Sequence, residues 1–92
     1  MSKRIAKTRV LSKRAVKIQE RKLGKDKALG MCWYDTGEIE IDPRQDSREY
    51  LDTLIHEMLH CFFPDMSEKD VAKVSAKMSN AIWQYNYRRV AK

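Results

Sequence analysis

The stretch Asp46-Ser47-Arg48-Glu49-Tyr50-Leu51-Asp52-Thr53-Leu54-Ile55-His56-Glu57-Met58-Leu59-His60-Cys61-Phe62 decides how this chain is read. Asp46 with Glu49 three residues on has the spacing of a capping box. Leu51, Leu54, Ile55, Met58, Leu59 and Phe62 then recur at intervals of three and four, which predicts a helix over about 46–62 with a wide apolar stripe. Pro64 ends it. On such a helix His56 and His60 share one face and can reach a single metal ion. Glu57 is turned about 100° from His56, which sets its carboxylate beside a metal-bound water rather than on the metal. This is the HExxH arrangement, two ligands and a general base from one turn of helix. The chain has two histidines, and the motif uses both. The plain alternative is a histidine pair on a helix flank beside an exposed glutamate.

Working outward toward the C-terminus, Ser67-Glu68-Lys69-Asp70 is a second helix-start signature. Val71, Val74, Met78, Ile82 and Tyr85 follow at helical spacing, predicting a helix over about 67–87 packed antiparallel on the first. Toward the N-terminus, Glu38-Ile39-Glu40-Ile41-Asp42 alternates strictly, with Ile39 and Ile41 facing inward. Ala28 to Tyr34 is an apolar run of strand length, and Asp35-Thr36-Gly37 joins the two as a hairpin with Gly37 at positive φ. Lys13 to Arg21 alternates Val16 and Ile18 with charged neighbours and reads as a half-buried strand. A helix through Leu11, Ala15, Ile18 and Leu23 is the competing reading. Gly24 to Lys27 reads as a turn. The fold class is α+β: a short antiparallel sheet, hairpin about 28–42, packed on the two helices.

With 92 residues the chain makes one small domain, marginal enough that a metal or partner would help to complete it. Residues 13–92 are assigned to that domain and 1–12 to a basic arm. The formal charge of +6 is unevenly spread. Residues 1–27 carry eleven Lys or Arg against Glu20 and Asp26, a net of +9, whereas residues 28–87 carry five basic residues against eleven acids, a net of −6. The arm, with Lys3, Arg4, Lys7, Arg9, Lys13 and Arg14, can hold phosphates without sequence preference, or serve as a solubilising tail. No apolar run approaches the roughly 20 residues that span a bilayer, and the basic N-terminus lacks the apolar core of a secretory signal. Cys32 and Cys61 are too few for a disulfide scaffold, so a reducing cytoplasm is the expected compartment.

The segments G-M-C-W-Y-D-T-G-E-I-E-I-D-P-R-Q (30–45) and Y-L-D-T-L-I-H-E-M-L-H-C-F-F-P-D-M-S-E-K-D-V (50–71) resemble minimal zincin metallopeptidases of the SprT-like kind, particularly compact versions encoded by bacteriophages. The likeness covers about residues 28–85, and HExxH is its specific part. It implies a zincin fold, a zinc ion and peptide-bond hydrolysis, in the host cytoplasm if the chain is phage-encoded. It also implies that the strand before the active-site helix pairs with an extended substrate. Ile39, Glu40 and Ile41 would be that strand, recognising a peptide backbone by strand addition. SprT-like proteins commonly take a third ligand from a later histidine, and this chain has none. A carboxylate or a cysteine must serve instead. Glu68 is preferred, because a helix packed on the HExxH helix could aim its long side chain at the metal; Asp65 and Asp70 are the alternatives. Cys61 points about 100° away from His60 and Cys32 lies in an apolar strand, so both read as small buried residues. Trp83, Tyr85 and Tyr87 could supply a tyrosine for an oxyanion, or simply pack the helix.

The leading expectation is a zinc-dependent endopeptidase in which Glu57 activates a zinc-bound water, brought to nucleic-acid-associated proteins by the basic arm. A non-catalytic nucleic-acid-binding protein on a zincin-like scaffold is the alternative. A closed, purely structural zinc site is a third reading, which leaves Glu57 without a role.

Overall fold

The computed structural model describes residues 16–24 and 28–90. The arm residues Lys3, Arg4, Lys7, Arg9, Lys13 and Arg14 lie outside the described residues, as does most of the expected 24–27 turn. The elements run β1 (Lys17–Glu20), β2 (Gly30–Trp33), β3 (Glu38–Ile41), α1 (Ser47–Phe62) and α2 (Glu68–Gln84). They form a small α+β unit of one three-stranded sheet and two helices.

The hairpin is antiparallel, with Cys32 opposite Ile39 and Trp33 opposite Glu38. Its turn is closed by the Thr36 and Gly37 amides donating to the Trp33 carbonyl, and Gly37 adopts φ 78°, a conformation that favours glycine. Ile39 and Ile41 are fully buried, as their alternation requires. The sheet, however, is mixed rather than antiparallel. Its order is β1-β3-β2, and β1 runs parallel to β3, Ile18 opposite Ile39. β1 is a strand as expected but not a half-buried one at Ile18, which is 44% exposed. The residue this segment buries is Leu23, whose amide donates to Asp42 Oδ2 at 2.9 Å.

The central position of β3 corrects the expectation for Ile39, Glu40 and Ile41. Their strand hydrogen-bonds β1 on one side and β2 on the other, so no unpaired backbone edge is left for a substrate strand. The outer edge of this sheet nearest the helices belongs to β2 instead.

Both helices start where their caps dictate. Asp46 accepts the Glu49 amide at 2.8 Å, and Ser67 accepts the Asp70 amide at 3.1 Å. α2 stops at Gln84, short of the expected 87. Asn86 takes φ 68° while its amide donates to Trp83 O and that of Tyr87 to Ile82 O, the pairing of a Schellman cap.

The wide stripe of α1 is wide because it serves two layers. Tyr50 and Cys61 join Ile39 and Ile41, with Leu54, Met58 and Phe62 packed around them; Ile55 and Leu59 join Val71 of α2, with Leu51, Val74 and Ile82. Among these elements α2 packs only on α1, so the layers run sheet, α1, α2. The interhelical seam is not the predicted α2 stripe. Val71, Ser75 and Ser79 are its buried residues, whereas Met78 is 42% and Tyr85 80% exposed. Small side chains at a four-residue interval let the backbones approach, and Ser79 Oγ meets Asp52 Oδ1 and the Arg48 guanidinium, each at 3.1 Å.

Candidate metal centre

Packing α2 on α1 brings the first residue of α2 over the last turns of α1. Glu68 reaches His56 Nε2 with Oε2 at 3.0 Å and His60 Nε2 with Oε1 at 2.8 Å. The two imidazoles stand edge to face, centroids 5.0 Å apart. The donor atoms of all three residues lie within 4.8 Å of one another, so His56, His60 and Glu68 form a group that could hold a metal ion. Two imidazole nitrogens and one carboxylate fit a divalent transition metal, and three protein ligands leave a fourth position open. Asp65 and Asp70 stand outside this group: both are exposed in the turn and first turn of α2, where the Asp70 amide is tied to the Ser67 cap.

Glu57 lies beside the group and is not part of it. Burial pushes its carboxyl above the ordinary carboxylate range; the imidazoles of His56 and His60 pull it back, and Glu68 adds to the rise. Its close neighbour is β2. A methyl group built on Gly30 would lie 2.9 Å from Glu57 Cγ and 2.7 Å from Thr53 Cγ2, so the strand can pass here only without a side chain. Gln45 fixes the strand's start. It donates to the carbonyls of Leu29 and Asp42, and accepts the Thr53 hydroxyl at 2.6 Å. Sheet and α1 are thereby pinned together at the level of Glu57.

Cys32 and Cys61 meet across β2 and α1, outside the His/His/Glu group. Burial, with the Cys61 thiol and Glu57 adding, pushes the Cys32 thiol up to about 12, and burial raises Cys61 as well. Both are free thiols in the core, as small apolar residues would be. The aromatic cluster is not brought to the centre. Trp83 lies fifteen positions after Glu68, roughly 22 Å along α2. Its ring is stacked under Arg88 at 3.4 Å, and with Tyr87, Tyr50 and Arg89 it lines a separate apolar hollow of about 230 Å³.

Sequence reasoning passed over Gly30, Gln45 and Thr53. Gly30 carried a signal, since a glycine inside a strand pattern marks a close backbone approach. Gln45 and Thr53 carried none, because their bond joins a loop to a helix eight residues away.

No family model, curated protein or solved structure matches this chain. No helix among the described residues is long and apolar enough to cross a membrane.

Proposed function

We propose that this chain is a zinc-dependent metalloendopeptidase of the zincin kind, with His56, His60 and Glu68 as ligands and Glu57 as general base. The observation that carries the reading is the Glu68 carboxylate bridging both imidazoles while Glu57 stands alongside, outside the ligand group. A zinc ion held there would supply the Lewis acid that polarises a peptide carbonyl and acidifies a water. Glu57 is placed to take a proton from the attacking water and would pass it to the leaving amine. Its raised affinity for protons suits a base that must also act as an acid. Histidines and carboxylate hold their geometry because they come from two helices locked by a buried seam.

We propose that the substrate strand lies along the edge of β2, which pairs with no strand but β3 among the described residues. The Asp42 amide bonds the Leu29 carbonyl, so alternation turns the backbone groups of Gly30 and Cys32 away from β3, toward an added strand. Protein substrates in an extended conformation follow from this.

The test is zinc content by elemental analysis followed by peptide cleavage. One zinc per chain is expected in the wild type and loss of it in His60→Ala. Glu57→Gln should keep the zinc and lose cleavage by a factor of about 10³ or more. Cleavage retained in Glu57→Gln would refute the mechanism, and a folded wild-type chain that takes up no zinc would refute the centre.

A further inference from the structure

The two outer strands of the sheet differ in chemistry. β1 carries Lys17 and Glu20, charges of the kind that keep a strand edge from pairing with another chain. β2 reads Gly-Met-Cys-Trp and carries none. Its register fixes which way its side chains face. Gly30 and Cys32 stand opposite the buried Ile41 and Ile39, whereas Met31 stands opposite Glu40 and Trp33 opposite Glu38. Met31 and Trp33 therefore lie on the outer face of the sheet, away from α1. Trp33 is 39% exposed, and Leu29, just before the strand, is 55% exposed. The carboxylates of this face belong to β3, one strand further in. Glu40 is paired with Arg21 at 2.9 Å, and Glu38 accepts the Thr36 hydroxyl.

This edge is continuous with the candidate centre. A cleft of about 240 Å³ runs from His56 and Glu57 to Leu29 and Gly30, with Asp52 and Thr53 also in its lining. A strand added to β2 would bond the backbone of Gly30 and Cys32, and its residues would alternate between the two faces. Those opposite Gly30 and Cys32 turn toward α1 and the centre. Those opposite Met31 and Trp33 turn outward and meet these two side chains as cross-strand neighbours, about 5 Å apart at Cβ.

We propose that Met31 and Trp33 are specificity-determining residues for extended polypeptides with large apolar side chains at alternate positions, one and three residues from the residue set opposite Gly30. The inference rests on the β2 edge as the place of the substrate strand; it does not need the centre to be hydrolytic. Apolar and aromatic side chains suit this face because they cover a half-exposed tryptophan and its methionine neighbour, and an edge without charge offers a polar side chain no ion pair. A segment patterned in this way is one that a folded protein buries on one face, so the substrate class is strand-forming segments presented by unfolded chains.

The experiment uses the zinc-loaded full chain carrying Glu57→Gln and short fluorescent peptides followed by anisotropy. One peptide alternates threonine with tyrosine and the other threonine with serine. The tyrosine peptide is expected to bind about tenfold tighter, and methylation of its alternate backbone nitrogens should abolish binding by removing the ladder donors. Trp33→Thr should bring the ratio toward one, and adding Met31→Thr should bring it closer still; threonine keeps the strand propensity of both positions. Equal binding of the two peptides, or a ratio unmoved by the double variant, overturns the inference. Internally quenched forms of the same peptides, given to the zinc-loaded wild type, separate it from the hydrolytic reading. Preferential binding without cleavage refutes hydrolysis and upholds the selective edge; cleavage of both peptides at equal kcat/KM does the reverse. A dimer that dissociates in Trp33→Lys while neither peptide binds gives the edge to a second copy and overturns the inference as well.

Discussion

At the scale of single residues, the candidate centre depends as much on an absent side chain as on its four candidate residues. Gly30 lets β2 lie against α1 where Glu57 and Thr53 would both collide with a Cβ. Gly30→Ala is therefore expected to destabilise the fold by about 1–3 kcal/mol, the usual range for overpacking, as read from a urea midpoint. Adding Thr53→Ser removes the methyl carbon at 2.7 Å and should recover part of that stability. The clash with Glu57 Cγ at 2.9 Å stays, so cleavage should remain low in the double variant. Equal recovery of stability and cleavage would show that the strand does not position the base. Asp42 makes a different kind of point. It is buried, accepts the amides of Leu23 and Arg44, and binds the Arg44 guanidinium through both oxygens, which holds its carboxyl well below the usual carboxylate range. A depressed native pKa means stability present above the unfolded value of about 3.9 and lost as pH falls through the folded one. Asp42→Asn should lower stability at neutral pH and flatten the decline below about pH 4. An acid limb unchanged in the variant would assign that decline to other carboxylates.

At the scale of elements, caps and turns were legible in the sequence and strand neighbours were not. Asp46 and Ser67 mark their helices by residue type and spacing alone, and Gly37 marks its turn, because each acts through bonds three or four residues long. Glu68, preferred in the sequence over Asp65 and Asp70, is the carboxylate that joins the group with His56 and His60, by a contact between the helices rather than a local one. It sits in the first turn of a capped helix, one turn before Val71, and so beside the face that packs on α1. The parallel pairing of β1 with β3 left no such trace. Four exposed residues and a partner twenty-one positions away give no periodic signal, and the burial that anchors β1 comes from Leu23, outside the strand. That hidden pairing closed off the expected substrate edge, and the edge proposed in its place is that of β2. The cap of α2 can be tested through the metal. Ser67→Ala should weaken the helix start by about 1 kcal/mol, and since Glu68 belongs to that turn, zinc affinity should drop about fivefold in a chelator competition. Ser67→Asp, which preserves the cap, should bind zinc like the wild type. A drop of the same size in Ser67→Asp would mean that the hydroxyl acts other than as a cap.

At the scale of the whole molecule, the three layers meet at one helix, and the candidate ligands join the two helical layers. Metal binding should thus fasten α2 to α1. Zinc at a hundredfold excess over Kd adds about 2.7 kcal/mol to the stability of a native state that alone can bind it, on the order of ten degrees in Tm for a domain of this size. Glu68→Ala, with its ligand from α2 removed, should show much less of that rise in differential scanning fluorimetry. A full rise in Glu68→Ala would place the ion on α1 alone. The layered order also sets a timetable for a chain made from its N-terminus. β1 leaves the ribosome first, yet its partner is the last of the three strands, so the sheet must wait until residue 41 has emerged. The histidines follow while Glu68 is still inside the exit tunnel, and α2 has nothing but α1 to dock on. The nascent domain can offer a metal only two imidazoles until α2 is released, so the candidate centre closes after the sheet and α1 are already out.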